Sequence, residues 1–478
     1  MNKFLLDNYF KSKSLNYDIS NPYWKQVDIY EKGQEGVIYW LFLTMKGLSR
    51  FFYKLLKTTR YGREDGVRES GNQVWFLLGS DNNREAIRKV YDELKRVGIS
   101  SSLVSYNGYK SDGVISLPEM SLYIRAIFYL PIFLCLAYSR NVSNYKRKSF
   151  LSRVDRWAIG AVSVEYWINI FSKFRPTMIV ISNDHSVWPR AALVAANKLN
   201  IKSVFIPHAP TGKNPADPLY DLAFLDGVVQ YHMYKHKDDV TFLTGAIRYE
   251  DSILTYADQE NSSTGGVLIC FNRADSLERV RDILVKSSAL VSHGYKVYVK
   301  PHPADTGRYG KIKSICDKNN IFFVDGKVRV SDLLEVIDVV VAGFSGVHLD
   351  ATLAGKTSLT YETWYGEEDY YGFIENELIK CFSDYGSLVG HIISTVDLSS
   401  DKVRISTSSI KYNIHKKSPS VTPSDLASRI LLHILCNSSE ATMEEILFTY
   451  QDACRLPEVG VNCFTSKFYL GEVKNDAS

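Results

Sequence analysis

The residues of this chain best placed to do chemistry are a lysine and a histidine set between two prolines, Lys300-Pro301-His302-Pro303. The preceding residues, Val297, Tyr298 and Val299, are β-formers bounded by polar and turn residues, so the stretch starts as a buried strand. Pro301 pushes Lys300 into an extended conformation and Pro303 does the same to His302. Neither proline can donate to a sheet, so the strand stops there. Lys300 and His302 are then held just past the C-terminal end of a strand, where open α/β sheets bind ligands. As a phosphate or nucleotide contact, Lys300 would be the point charge and His302 the hydrogen-bond donor. The plainer alternative is a proline-rich turn with a solvated histidine.

A second stretch, Val339 to Gly346, points to the same crevice. Its apolar run reads as a strand buried on both faces. It turns at Gly343-Phe344-Ser345-Gly346 into an apolar helix over Val347 to Ala354, ended by Gly355. A helix N-terminus offers free N–H groups and favours an anion. Ser345 either caps that helix or caps it and also donates to a phosphate.

The elements that must position these groups follow from length and pattern. At 478 residues the chain holds two domains with additions. An apolar content of 45% is ordinary for a globular protein. The net charge of +4 is too weak to point to or away from a polyanion. The 7 cysteines contain no CxxC pair, which reads as a reduced cytoplasmic chain without a zinc framework. The N-terminus has no signal-peptide core, and no apolar run reaches the roughly 20 residues of a spanning helix. The nearest run, Ala126 to Tyr138, contains Pro131 and reads as a buried helix.

Along the chain, Ile38 to Tyr61 interleaves aromatic residues with Lys46, Arg50, Lys54, Lys57 and Arg60. It reads either as an amphipathic helix on an anionic membrane or as a helix packed on its own domain. Val74 to Leu78, a helix from about Asn83 to Val97 and Ser101 to Ser105 form a βαβ beginning. Residues 121–175 look helical. Thr177 to Ser182, Trp188 to Leu199 and Lys202 to Ile206 complete another βαβ unit, with Asp184 and His208 after its two strands. A carboxylate there can serve as general base, and a histidine can orient or stabilise charge. Asp184 could equally be an N-cap. Asp226 to Val229 and Val240 to Gly245, with Arg248 beyond, continue as short strands. Residues 257–266 form a polar, glycine-ended linker between an N-terminal domain (1–256) and a second alternating unit (267–420). That unit carries Asn272 and Arg273 in the loop after its first strand, Ser331 capping a short helix, and Glu362 past the strand Ser358 to Tyr361, where a carboxylate could accept from ribose hydroxyls. Thr422-Pro423-Ser424-Asp425 starts the helices of 421–478 that close the structure. The fold class is α/β, with two Rossmann-like doubly wound domains facing a cleft.

These residues resemble GT-B glycosyltransferases of bacterial surface polysaccharide synthesis, closest to the sialyl-, Kdo- and CDP-glycerol-type transferases. Lys300-Pro301-His302-Pro303 resembles their HP motif, whose histidine contacts the donor's phosphate or CMP. Gly343-Phe344-Ser345-Gly346, with Asp350 to Gly355 behind it, resembles their serine-bearing phosphate loop and following helix. Ile206-Pro207-His208-Ala209 resembles their glutamine–histidine–glycine turn. The resemblance covers about residues 175–365. Here that turn reads Pro-His-Ala, the loop has one serine rather than two, and the family's acidic base motif survives only as the fragment Asp226-Gly227.

The resemblance implies a GT-B-like enzyme of capsule or O-antigen assembly; the location expected is cytoplasmic, with peripheral contact on the inner face of the anionic membrane as the alternative that Ile38 to Tyr61 leaves open. The donor, favoured as a CMP-linked ulosonic acid or another cytidine-nucleotide sugar, would bind the C-terminal domain through Lys300, His302, Ser345, Gly346, Asn272, Arg273 and Glu362. Asp184, His208 and His302 would carry catalysis. The partners implied are a nucleotide-sugar donor and a glycan or lipid-linked glycan acceptor, with no nucleic acid, no cofactor and no obligatory metal. The alternatives are a UDP-sugar-using transferase, a sugar-nucleotide epimerase of the same fold, and a non-catalytic polysaccharide-assembly protein.

Overall fold

The structure is a computed structural model that describes residues 37–59, 73–106, 108–117, 119–138, 147, 150–213, 215, 217–234, 241–251, 264–365, 369–394, 412 and 422–436. Arg60 and Tyr61, and residues 257–263 of the linker, lie outside them.

Helix α1 (Val37–Thr59) precedes the first sheet. That sheet comprises β1 (Val74–Leu78), β2 (Ser101–Ser105), β3 (Val114–Ser116), β4 (Met178–Ile181), β5 (Lys202–Phe205), β6 (Leu222–Leu225) and β7 (Thr241–Leu243). Its helices are α2 (Asp81–Arg96), α3 (Met120–Ile127), α4 (Leu130–Tyr138), α5 (Val154–Phe174), α6 (Val187–Lys198) and α7 (Val228–Tyr234). All strand pairs are parallel, in the order β3-β2-β1-β4-β5-β6-β7. The two-residue period of a strand explains the continuous apolar runs. Val74, Phe76 and Leu78 of β1 pack toward α2, while Trp75 and Leu77 pack toward α5 and α6.

The second sheet repeats the plan. It comprises β8 (Gly266–Cys270), β9 (Lys296–Lys300), β10 (Phe322–Phe323), β11 (Val339–Ala342), β12 (Thr357–Tyr361) and β13 (Lys380–Phe382). Its helices are α8 (Leu277–Ser292), α9 (Tyr309–Lys318), α10 (Val347–Leu353), the single turn α11 (Glu362–Tyr365) and α12 (Tyr385–Ser394). The strands are again all parallel, ordered β10-β9-β8-β11-β12-β13. Both sheets reverse their winding beside their first strand, so each has a crevice where β1 meets β4 and where β8 meets β11. Helix α13 (Pro423–Cys436) returns to the first half. Its Leu426, Ala427, Ile430 and Leu431 join the core around α2, and Ser424 donates its N–H to Glu250 at 2.9 Å.

Four sequence expectations are corrected here. Residues 226–229 are not a strand. The Asp226 N–H donates to Gln230 Oε1 at 2.8 Å, and Gln230 Nε2 returns a bond to Asp226 Oδ2 at 3.0 Å. That reciprocal contact starts α7 instead. Ser331 sits inside a 3₁₀ turn, Val330–Leu333, that begins after Arg329. The run Ala126 to Tyr138 is two half-exposed helices, broken before Leu130, with Pro131 in the first turn of α4, where it is tolerated. The N-cap of α10 is Gly346 rather than Ser345.

Candidate functional site

On the C-terminal side, three strand ends converge. After β8, the Asn272 N–H donates to Asp275 Oδ2 at 2.6 Å, and Asn272 Nδ2 donates to the Phe344 carbonyl at 3.0 Å. Asn272 thereby ties the two loops of the switch point together. The other Asp275 oxygen accepts from Trp364 Nε1 at 2.9 Å, and burial pushes this carboxyl above its usual range. Arg308 grips both oxygens of Asp305 at 2.8 Å through Nε. Its other nitrogens donate to the Asp275 and Arg273 carbonyls, which locks residues 272–275 against the loop after β9.

His302 is exposed on that loop. Its Nδ1 accepts the Ala304 N–H at 3.1 Å, so in the neutral ring Nε2 carries the proton. Partial burial, and then the Lys300 and Arg273 cations, hold its pKa below the ordinary value. The ring is therefore a neutral donor through Nε2. Lys300 is buried, with Nζ donating to the Gly326 carbonyl at 2.9 Å. Arg273 and Glu362 are both exposed, and Glu362 opens α11.

The loop after β11 is sterically set. A Cβ on Gly343 would lie 2.5 Å from the Trp364 indole. Ser345 Oγ accepts the Val347 N–H at 3.3 Å, which leaves its own proton to donate elsewhere. Helix α10 is only two turns long, so side chains and loop N–H groups rather than a long helix dipole must meet an anion here. Behind the loop, fully buried His348 places Nε2 2.8 Å from the Gly343 carbonyl and Nδ1 2.7 Å from Ser358 Oγ. Nε2–H must donate to the carbonyl, so Nδ1 accepts from the hydroxyl. Burial pushes His348 down to about 4, which keeps that relay neutral. Sequence reading passed over His348, because a histidine in an apolar helix gives no local signal of what it faces.

On the N-terminal side, His208 follows β5, and its Nδ1–H donates to the Ser182 carbonyl after β4. Its Nε2 therefore holds a lone pair. Burial pushes His208 down to about 4. Asp184 is 1% exposed, with Oδ1 3.0 Å from His185 Nδ1; burial, and then the nearby Asp184 carboxylate, raises the Tyr220 and Tyr234 hydroxyls. Such burial leaves little surface for an acceptor hydroxyl. Asp226, noted in sequence only as a fragment, is buried after β6, and desolvation raises its carboxyl to about 7.

One arginine joins the halves. Arg248 donates to the His208 carbonyl from Nη1 and to Asp350 Oδ1 from Nη2 at 3.3 Å. Lys213 adds a second bridge. Its N–H donates to the Tyr370 carbonyl at 2.7 Å, and its Nζ lies 2.8 Å from Glu375. A Cβ on Gly212 would overlap the Tyr370 ring at 1.9 Å, so only glycine allows this approach. Pro210 lies against Gly346 of the serine loop. Asn272, Arg273, His302, Ser345 and Gly346 thus lie on neighbouring loops beyond the C-terminal strand ends, whereas Lys300, expected as a phosphate contact, is buried and turned to the Gly326 carbonyl. The His208 backbone is tied toward Asp350 through Arg248, and Asp184 is buried. Among the described residues, no group of three or more His, Cys, Asp or Glu could hold a metal ion.

No protein-family model matches this chain, and no curated protein matches it by sequence. Solved structures do resemble it. A protein assigned as a UDP-N-acetylglucosamine 2-epimerase from Listeria monocytogenes superimposes with a TM-score of 0.50 at 12% identity, covering 78% of this chain and 97% of its own. UDP-GlcNAc 2-epimerase from Neisseria meningitidis, bound to UDP-GlcNAc, gives 0.48 at 13% identity, covering 77% and 100%. The wall teichoic acid polymerase TagF gives 0.43 at 10% identity, covering 87% and 100%. At such identities the likeness concerns the fold alone. Together with the two parallel sheets, it makes this a GT-B-like α/β architecture.

Proposed function

We propose that this chain is a glycosyltransferase that moves a sugar from a nucleotide-linked donor, a cytidine nucleotide by preference, onto a bacterial surface glycan. The observation that carries the reading is the opposite polarity of the two cleft walls. The C-terminal wall presents protons to give, from His302 Nε2–H and Ser345 O–H, beside the Arg273 cation. On the N-terminal side, the bond from His208 Nδ1–H to the Ser182 carbonyl leaves the lone pair on Nε2. Arg248 bonds to both sides, through the His208 carbonyl and Asp350.

In this reaction the acceptor hydroxyl gives its proton to His208 Nε2 as its oxygen bonds the anomeric carbon. The bond from that carbon to the donor phosphate breaks, and its electron pair leaves with the nucleotide. His302 and Ser345 stabilise the charge that develops on the departing phosphate, which is usually a large part of catalysis. His348 acts through its neighbours: its bond to the Gly343 carbonyl holds the loop that carries Ser345. Asn272 and Arg308 hold the adjoining loops in register. The cytidine preference rests on the Lys300–Pro303 turn and its likeness to transferases that use such donors. The structural neighbours include a UDP-GlcNAc 2-epimerase and a wall teichoic acid polymerase, and both activities are compatible with a nucleotide-sugar cleft.

A thermal-shift series with CMP, CDP, UDP and GDP tests this first, since a ligand that binds only the folded chain raises its melting point. A cytidine nucleotide should give the largest rise, and a CMP-sugar should turn over only when a glycan acceptor is present. Conversion of a UDP-sugar with no acceptor would make the protein an epimerase. No shift with any nucleotide would leave a non-catalytic assembly protein.

A further inference from the structure

Helix α1 is apolar on two opposite sides. At 100° per residue, Trp40, Leu43, Gly47 and Phe51 form one stripe, buried against α3 and α5. Ile38, Leu41, Phe42, Met45, Phe52 and Leu56 form the opposite stripe, and all are exposed. Phe42 and Met45 keep 60% and 63% of their surface in solvent. The exposure continues onto the adjoining helices, where Ile124, Phe128 (74%) and Ile132 also face outward. Ring contact between Phe51 and Tyr123 and a 3.0 Å bond between the Thr44 and Tyr138 hydroxyls join α1 to α3 and α4. The three helices therefore expose apolar side chains on the same packed group.

Its charge is one-sided. The 23, 8 and 9 residues of α1, α3 and α4 contain no aspartate or glutamate. Lys46 and Arg125 are exposed. Arg50 and Lys54 lie toward the packed stripe instead, where both reach the buried carboxylate of Asp155, at 3.1 and 3.4 Å. Beside this face, α3 and α5 enclose a cavity of about 160 Å³ lined by Ser121, Arg125, Asn169 and Tyr166, among others. Tyr166 is 6% exposed, and its hydroxyl has no hydrogen-bond partner among the described residues. An apolar face that exposes Lys46 and Arg125, on helices bare of acids, fits an anionic bilayer, which buries the apolar side chains and pairs the two cations.

We propose that α1, α3 and α4 form a docking face for an anionic lipid surface, with the Arg125–Tyr166 cavity receiving a headgroup phosphate. The occupant is a bilayer rather than a second copy, because a self-complementary interface would set one acid-free, cation-bearing face against another. The proposal does not depend on which nucleotide the cleft takes. It places the acceptor side of the enzyme at the surface where a lipid-linked glycan would lie.

The test is flotation of the full chain with vesicles of phosphatidylglycerol and phosphatidylcholine at low and high salt. The chain should float with the anionic vesicles at low salt, bind less as salt screens the cations, and bind little to phosphatidylcholine alone. Phe42→Ser and Phe52→Ser should each cut partitioning by about tenfold or more, the scale of burying one phenylalanine. Their melting points and turnover on a soluble acceptor should be unchanged, because both side chains face solvent. Arg125→Glu should weaken anionic binding without touching the apolar stripe, and inorganic phosphate at millimolar concentration should not displace the wild-type chain from vesicles. Absence of flotation at low salt overturns the proposal. So does full binding by both phenylalanine variants, or a finding that those variants change the oligomeric state and leave vesicle binding intact.

Discussion

The two halves of the cleft are built on the same winding, yet their strand ends do opposite things. Each sheet begins in its middle, adds two strands to one side, then reverses to the other. The N-terminal half has a histidine, His208, whose Nδ1–H is spent on a backbone carbonyl, which frees a lone pair. The C-terminal half has a histidine, His302, whose Nδ1 is occupied by a backbone N–H, which frees a donor. Both rings sit beyond parallel strands and both are held neutral, largely by burial. The winding supplies the place, and one local hydrogen bond sets whether a histidine there gives or takes a proton.

Removing each histidine in turn would break this comparison most sharply. His208→Ala should lower turnover by about 10²–10⁴, the range for losing a general base, with nucleotide affinity retained. His302→Ala should lower it by about 10²–10³, as for one charge-stabilising donor. Steady-state rates with nucleotide affinities from calorimetry separate the two. Loss of nucleotide binding in a folded His208→Ala chain would place the donor on the wrong half.

The pH dependence of stability sharpens the contrast at a smaller scale. His348 is pushed down to about 4 when folded and titrates near 6.5 when unfolded. Between those values the unfolded chain binds more protons, so this residue's contribution is full above pH 6.5 and is lost as pH falls toward 4. Falling from pH 6.5 to pH 5 should cost about 2 kcal/mol through His348 alone. The quantity to measure is the change in melting behaviour across that interval for the wild-type chain minus that for His348→Gln. The subtraction removes other groups, such as Asp226, whose raised carboxyl acts in the opposite sense. Parallel pH profiles for the two chains would mean that His348 is protonated or solvated in the fold.

The smallest expected effect is that of Ser345→Ala. It removes one hydroxyl donor from the C-terminal wall and should weaken nucleotide binding about tenfold, the scale of one hydrogen bond to a charged group. The fold should be untouched, because the serine's internal contact is a single bond to the Val347 N–H. Calorimetry at fixed ionic strength reads this directly, and unchanged affinity would remove Ser345 from the phosphate site.

Much of this architecture is legible in the sequence. Val74 to Leu78 and Val339 to Ala342 are apolar on both faces because both faces are covered, and such runs read as central parallel strands. The prolines flanking His302 marked where β9 had to end. The short edge strands β3 and β13 went unread, since three residues carry too little period to register. Residues 226–229 were misread because the Asp226–Gln230 contact that starts α7 overrides their β propensity.

The chain's own pattern was enough to specify two doubly wound sheets and the residue types that follow their strand ends. Those are local properties: alternation within a strand, proline geometry, glycine where a turn must close. The direction of Lys300 is different, because an extended backbone leaves its side chain free to point either way, and the Gly326 carbonyl 26 residues later decides it. The tautomer of His208 depends on a carbonyl 26 residues earlier, and the Arg248–Asp350 bridge spans 102 residues. Such contacts form only once both sheets are folded and docked, and no local propensity encodes them.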